Sequence, residues 1–481
     1  MTNTKMTNTT PTHAATASST VSRRAAPRAF QGAILHTPER GTLEYLPGAL
    51  VVCNADGLID AVHPQGAPQA AAIAARHAED GSLVVLAEGR YLLPGLIDLH
   101  VHAPQWPQLG KALDEPLEFW LQKYTYPLEA RYADASFAAA VYESLVDALL
   151  ANGTTTAVYY GTVHLPATMR LADICLRRSQ RALIGRVAMD DPSQCPPNYR
   201  DATAASGEAD TRAFIAYVRG MPGNAGALVE PVITPRFIPA CSDELLRRLG
   251  NLARDSGCYV QTHCSESDWE HRFVQDRCGL TDSAALERYG LLSRRTILAH
   301  GNFVDDEDVG RIVRAGAGIA HCPLSNVYFS DAVFPLRHAL EHGMHVGLGT
   351  DIAGGASPSI LDNARHAVIA SRRLEAGVDP RLSRERRGRA SSRIDALTAF
   401  WLATAGGGIA LDQPLGVFAP GYAFDAIVVE GDVAGSNLRI DASDTPETIL
   451  QKIVYTAARS NIRETYVAGR LVHSRGGGLN R

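Results

Sequence analysis

Short apolar runs punctuate the chain from residue 30 onward, and what lies between them changes along its length. Between 30 and 90 the runs are separated only by turn residues: Phe30-Gln-Gly-Ala-Ile-Leu35, Ala49-Leu-Val-Val-Cys53, Gly57-Leu-Ile-Asp-Ala-Val62 and Leu83-Val-Val-Leu-Ala87. That texture predicts short strands. From 96 to 351 each run is followed by a stretch with helical spacing of its apolar positions. Strands are predicted at Leu96 to His102, Thr155 to Tyr160, Leu183 to Met189, Leu228 to Thr234, Tyr259 to His263, Thr296 to His300, Ala317 to Cys322 and Val346 to Asp351. Helices such as Ala138 to Ala151, Asp243 to Asp255 and Asp305 to Ala315 fall between them. Strand texture returns in Phe424-Asp-Ala-Ile-Val-Val429, Ile453-Val-Tyr455 and Thr465-Tyr-Val-Ala-Gly-Arg-Leu-Val472.

Eight strands alternating with helices predict an α/β protein built on a (β/α)8, TIM-like barrel. The two chain ends are expected to complete a small β-sandwich domain. The expected organisation is a disordered tail at 1–28, a small β domain from 29–90 and 410–481, and a barrel over 91–409. The tail is rich in Thr, Ser, Ala and Arg and has no acidic residue. It has a faint transit-peptide flavour but lacks the apolar stretch of a secretory signal, and is read as a plain flexible tail.

The predicted barrel strands end in chemistry-bearing residues. Leu96 to His102 closes in His100 and His102, which share one face of a strand because alternate side chains point the same way. His263, His300 and Asp351 close three further runs. A lone buried histidine is usually a hydrogen-bonded core residue; five ligand-type residues at strand ends point instead to a metal, since barrels of this kind carry their chemistry at the C-terminal ends of the strands. His100, His102, His263 and Asp351 form an N3O set that suits zinc, with iron or manganese as alternatives. A bound divalent ion lowers the pKa of its water and supplies a nucleophile near neutral pH. Glu266, three residues past His263, is placed to take a proton from that water and pass it to a substrate. His300 is read as holding the water, because the other four residues already fill a metal shell.

Bulk properties narrow the function classes. The net charge of −5 argues against a general nucleic-acid binder, and no apolar run is long enough to span a membrane. Eight scattered cysteines without a Cys-x-x-Cys pair fit unpaired thiols in a reducing, cytoplasmic setting. Cys264 and Cys322 flank the candidate site and are read as small buried apolar residues. Between 124 and 451 there is no lysine. Two-metal hydrolases on such barrels usually bridge their ions with a carbamylated lysine, so one metal is expected. The other zinc deaminase pattern, His-x-Glu with Pro-Cys-x-x-Cys, is also absent.

These residues resemble the amidohydrolase superfamily in its one-metal deaminase branch. Pro94-Gly-Leu-Ile-Asp-Leu-His-Val-His-Ala-Pro-Gln105, Pro116-Leu-Glu-Phe-Trp-Leu-Gln-Lys-Tyr-Thr-Tyr-Pro-Leu-Glu129, Asn152-Gly-Thr-Thr-Thr156, Thr234-Pro-Arg-Phe237, His321-Cys-Pro-Leu-Ser-Asn326 and Gly347-Leu-Gly-Thr-Asp-Ile-Ala-Gly-Gly355 are similar to guanine deaminases. The resemblance runs from about 90 to 475. It implies one Zn2+ per subunit on His100, His102, His263 and Asp351, with Fe2+ the alternative. It implies catalytic roles for Glu266, His300 and Asp351, and substrate contacts from Gln105, Arg236 and Phe237. An arginine can donate to a ring carbonyl, an amide can donate and accept, and a phenyl ring can lie on a flat heterocycle. It further implies a cytoplasmic homodimer of purine catabolism or salvage acting on a small purine.

Two segments depart from the family pattern. Ser265-Glu-Ser-Asp-Trp-Glu-His271 carries an unexpected Trp and His, and Ser325 to Phe334 lacks the usual loop glycine. Both follow strand ends, so pterin or isoxanthopterin, which present the same 2-amino-4-oxo edge, stand as alternative substrates. A cyclic amidase, a chlorohydrolase and a non-catalytic scaffold are the competing classes. The missing lysine weighs against the first, and the intact ligand set against the last.

Overall fold

The computed structural model describes residues 27–330 and 332–476. Most of the expected tail lies outside these residues, and its final residue, Arg28, opens the first strand. Five strands come first: β1 (Arg28–His36), β2 (Glu44–Cys53), β3 (Ile59–His63), β4 (Leu83–Val85) and β5 (Arg90–Pro94). The barrel follows as β6 (Leu96–His102), β7 (Thr154–Tyr160), β8 (Arg181–Ala188), β9 (Val229–Pro235), β10 (Tyr259–Cys264), β11 (Thr296–His300), β12 (Gly318–His321) and β13 (His345–Leu348). Three strands close the chain: β14 (Ala426–Glu430), β15 (Ile462–Val467) and β16 (Arg470–Ser474).

β6 to β13 pair in sequential order, each parallel to the next. Their side chains are buried on both faces, as a helix-wrapped parallel sheet requires. The ring closes just beyond β13. Asp351 N–H donates to the His100 carbonyl at 2.8 Å and His102 N–H to the Ile352 carbonyl at 2.9 Å. Asp98, fully buried in β6, clasps the same seam by accepting from Thr350 N at 2.9 Å, Thr350 Oγ1 at 2.6 Å and His100 N at 3.2 Å. The seam therefore sets His100, His102 and Asp351 side by side.

The surrounding helices stop and start where the sequence has caps. Asp243–Ser256 begins after Ser242, whose Oγ accepts from Leu245 N, and ends at left-handed Gly257. Asp306–Ala315 begins with a capping box between Asp305 and Asp308 and ends at left-handed Gly316.

The terminal strands form one sheet in the order β16-β15-β14-β5-β1-β2-β3, with β4 alongside β1. β5 pairs antiparallel with β14 and so ties the chain ends together. The apolar run from Leu92 to Leu99 thus crosses from one sheet to the other. The crossing falls at Gly95, where a Cβ would stand 2.2 Å from Thr155 Oγ1. Ile453-Val-Tyr455, expected as a strand, lies in helix Pro446–Thr456. Ile449, Leu450, Ile453 and Val454 are its buried face, a helical spacing that three residues read alone conceal. Thr465 to Val472 is not one strand but β15 and β16, folded back at Ala468 and Gly469.

Candidate active site

All the strand-end residues singled out in the sequence converge at the C-terminal mouth of the barrel. His100, His102 and Asp351 offer donor atoms within 4.8 Å of one another, and so do His100, His263 and His300. His100 Nε2 stands 3.1 Å from Asp351 Oδ1, His102 Nε2 stands 3.5 Å from the same oxygen, and His102 Nε2 stands 3.0 Å from His263 Nε2. Ligand atoms about 2.1 Å from a tetrahedral ion stand roughly 3.4 Å apart, so the donor set fits one divalent ion. The buried Nε2 atoms of His100 and His300 have no hydrogen-bond partner among the described residues. Burial holds His100, His102 and His263 well below the ordinary imidazole range, with neighbouring histidines adding to the effect for each. They are neutral, as ligation requires.

Outer contacts orient the donors. His263 Nδ1–H donates to the Arg236 carbonyl at 2.6 Å, which leaves Nε2 for an ion. Ser325 Oγ donates to Asp351 Oδ2 at 2.5 Å, leaving Oδ1 toward the histidines. His300 Nδ1–H donates to Asn326 Oδ1 at 2.9 Å, so its Nε2 is a bare acceptor 4.0 Å from Asp351 Oδ2 and 3.6 Å from Glu266 Oε2. Ser265, His300 and Asp351 all hold left-handed backbone, at φ 50°, 72° and 50°. Conformations of that kind in non-glycine residues gather at functional sites.

Glu266 is buried, and its loop is pinned on both sides. Its N–H donates to Glu270 Oε2 at 2.7 Å and its carbonyl accepts from Asn302 Nδ2 at 2.9 Å. Burial, reinforced by the charge of Asp351 and opposed by Arg236, holds its carboxyl well above the usual carboxylate range. Such a group accepts and returns a proton near neutral pH.

Gln105, Arg236 and Phe237 line the same cavity as His102, His263, Glu266 and Asp351. The empty space there, counted out through its open side, is about 370 Å3. Leu117, Trp120 and Phe329 complete the apolar walls. The first two come from a helical stretch that widens to a π turn at Leu121–Thr125, just before Pro127, which has no N–H to give to the Lys123 carbonyl. A second, more open cavity shares Leu121 and Phe237 with the first and is lined also by Trp269 and Phe119. The unusual Trp thus stands in the neighbouring cavity, its ring 5.8 Å from that of Phe237, while His271 turns aside to Asp282, 3.5 Å away.

Sequence reasoning missed Glu129, Ser325, Asn326 and Asn302. The first three lie inside motifs that were noticed without being given roles. Glu129 is fully buried and accepts from both Nη atoms of Arg236, at 2.6 and 3.2 Å, and from Gln105 Nε2 at 3.0 Å.

Residues 91–472 match the amidohydrolase family. The chain belongs to that family. It is an aminohydrolase on the amidohydrolase fold. Among its relatives are a probable guanine deaminase of Schizosaccharomyces pombe, 36% identical across 92% of this chain and 83% of that one, and the human guanine deaminase, 35% identical across 80% and 84%. Among solved structures, the guanine deaminase of C. acetobutylicum with guanine bound superposes with a TM-score of 0.83 at 27% identity, covering 93% of this chain and all of that one.

Proposed function

We propose that this chain hydrolyses guanine to xanthine and ammonia with one divalent ion, zinc or else iron. The observation that carries the reading is the meeting of two constellations: the donors of His100, His102, His263 and Asp351, of which the last three line the cavity, and Gln105, Arg236 and Phe237 in that same cavity. Guanine deaminases among its relatives, one of them solved with guanine bound, support the choice of ring.

His100, His102, His263 and Asp351 would hold the ion, which when bound acidifies a water for attack on a ring carbon. Phe237 supports the flat ring, while Arg236 donates to its polar edge and Gln105 both donates to it and accepts from it. His300 Nε2 and Asp351 Oδ2 fix the attacking water as hydrogen-bond acceptors. Glu266 takes the proton that the water gives up and delivers it to the ring nitrogen beside the amino-bearing carbon. A second proton passed through Glu266 lets the amino group leave as ammonia, and the carbon keeps the water's oxygen.

The test is ammonia release by purified, metal-analysed protein on guanine, isoxanthopterin, pterin, cytosine and adenine. Guanine is expected to dominate. Turnover of a pterin without guanine rejects the substrate and keeps the mechanism; ring opening or halide release in place of ammonia rejects both. A cytoplasmic homodimer belongs to the same reading, and eight free cysteines support a reducing setting.

A further inference from the structure

Glu129 does not line the substrate cavity, yet it holds both polar residues that do. Its Oε2 accepts from Arg236 Nη1, and its Oε1 accepts from Arg236 Nη2 and Gln105 Nε2. The other end of the Gln105 amide is fixed as well, because Oε1 accepts from Ala353 N at 3.1 Å. Flipping the amide would set NH2 against an N–H and oxygen against a carboxylate. Gln105 therefore offers a ligand one N–H and one lone pair in settled directions. Arg236 is 2% exposed and Glu129 0%, so the pair is closed off from water. Burial alone would disfavour the guanidinium charge, but Glu129 outweighs it. The cavity thus meets the N–H donors of a guanidinium already paired with a buried carboxylate.

We infer that Glu129 is a specificity-determining positioning residue, which lets the pocket select a neutral aminopurine and release the more acidic dioxopurine made from it. The inference rests on the deamination proposed above. Hydrolysis exchanges an amino group for a carbonyl and a ring N–H, and a dioxopurine gives up a proton more readily than an aminopurine. A lone buried guanidinium would hold the resulting anion by charge and turn product into inhibitor. With its charge already met by Glu129, Arg236 gains little from the anion that it does not gain from the neutral ring.

Other groups do not blur this. Tyr126, Tyr132, Tyr142, Tyr199, Cys195 and Cys241 face the pair, and burial raises all six, Cys195 to about 12, while burial lowers His164 on the Glu129 side, so none is charged near neutrality. On the cavity side His102, His263, Glu266 and Asp351 feel the Arg236 charge. They are common to parent and variants, so they cancel when the pH series of the parent is set against that of each variant.

The experiment measures KM for guanine and the inhibition constant Ki for xanthine, from about pH 6 to about pH 9, on metal-loaded parent, Glu129→Gln and Glu129→Asp. In the parent, Ki/KM is expected to stay level as xanthine ionises. In Glu129→Gln it should fall by about tenfold or more toward high pH, a size usual for an uncompensated charge-assisted contact. Glu129→Asp keeps the charge, so its ratio should follow the parent while KM rises. A parent ratio that falls as xanthine ionises overturns the inference, and so does a level ratio in Glu129→Gln. If Glu129→Gln does not fold, the parent's pH series still decides. If the parent releases no ammonia from guanine, the functional reading fails separately, and calorimetric binding of xanthine across the same pH range still tests the charge of the Arg236 site.

Discussion

Replacing Glu266 by glutamine separates chemistry from architecture at this site. The side chain is 7% exposed, and among the described residues no protein donor bonds its carboxyl oxygens. The contacts that hold its loop come from its backbone, to Glu270 and Asn302. Glutamine therefore fits without breaking a hydrogen bond, and it removes a carboxyl that burial already disfavours in its charged form. Thermal stability and metal content should match the parent or exceed it slightly. Loss of a positioned proton carrier costs about 10²- to 10⁴-fold in rate, or roughly 3 to 5 kcal/mol of barrier. The assay is steady-state ammonia release on guanine, run beside elemental analysis and a melting curve. A kcat within about tenfold of the parent at equal metal content would refute the shuttle role. A loss of metal would move Glu266 into the ligand set.

Asp98→Ala strips the acceptor from three buried donors at the barrel seam; at about 1 kcal/mol or more for each orphaned group, it should cost roughly 3 kcal/mol or more and lower Tm clearly, which calorimetry will read. Chelation followed by dialysis should abolish activity and lower Tm, and added zinc should restore both, because the ion binds the folded donor set alone; ammonia release and melting curves check this. The hydrogen bond and charge of Asp282, working against burial, raise His271 above its ordinary value. Its contribution is therefore fully present below the unfolded pKa of about 6.5 and lost as pH rises through the folded one. The Tm gap between parent and His271→Gln should be wide at acid pH and close on the alkaline side.

The barrel was legible because its strands are buried on both faces and interrupted by capped helices. Continuous apolar runs such as Thr296 to His300, and signals such as Ser242 and Gly257, are local and survive in one dimension. The ligand-type residues were legible for a related reason: parallel strands in a barrel all end at one mouth, so strand-end position in sequence becomes proximity in space. Helix Pro446–Thr456 and the break at Gly95 were not legible. A fragment as short as Ile453 to Tyr455 fits either period, and an apolar run carries no mark of which sheet it joins.

What the sequence determined by itself was the order of elements in the barrel, the presence of ligand-type residues at its strand ends and the availability of a carboxylate near them, since residue type and spacing suffice for each. What the tertiary structure alone decided was how those groups are aimed. The backbone hydrogen bonds beyond β13, which bring Asp351 beside His100, span about 250 positions. Glu129 grips Arg236 across 107 positions of chain and Gln105 across 24. No local pattern encodes such contacts, because they form only when separate strand ends and the helix before β7 are packed around one buried, water-poor space.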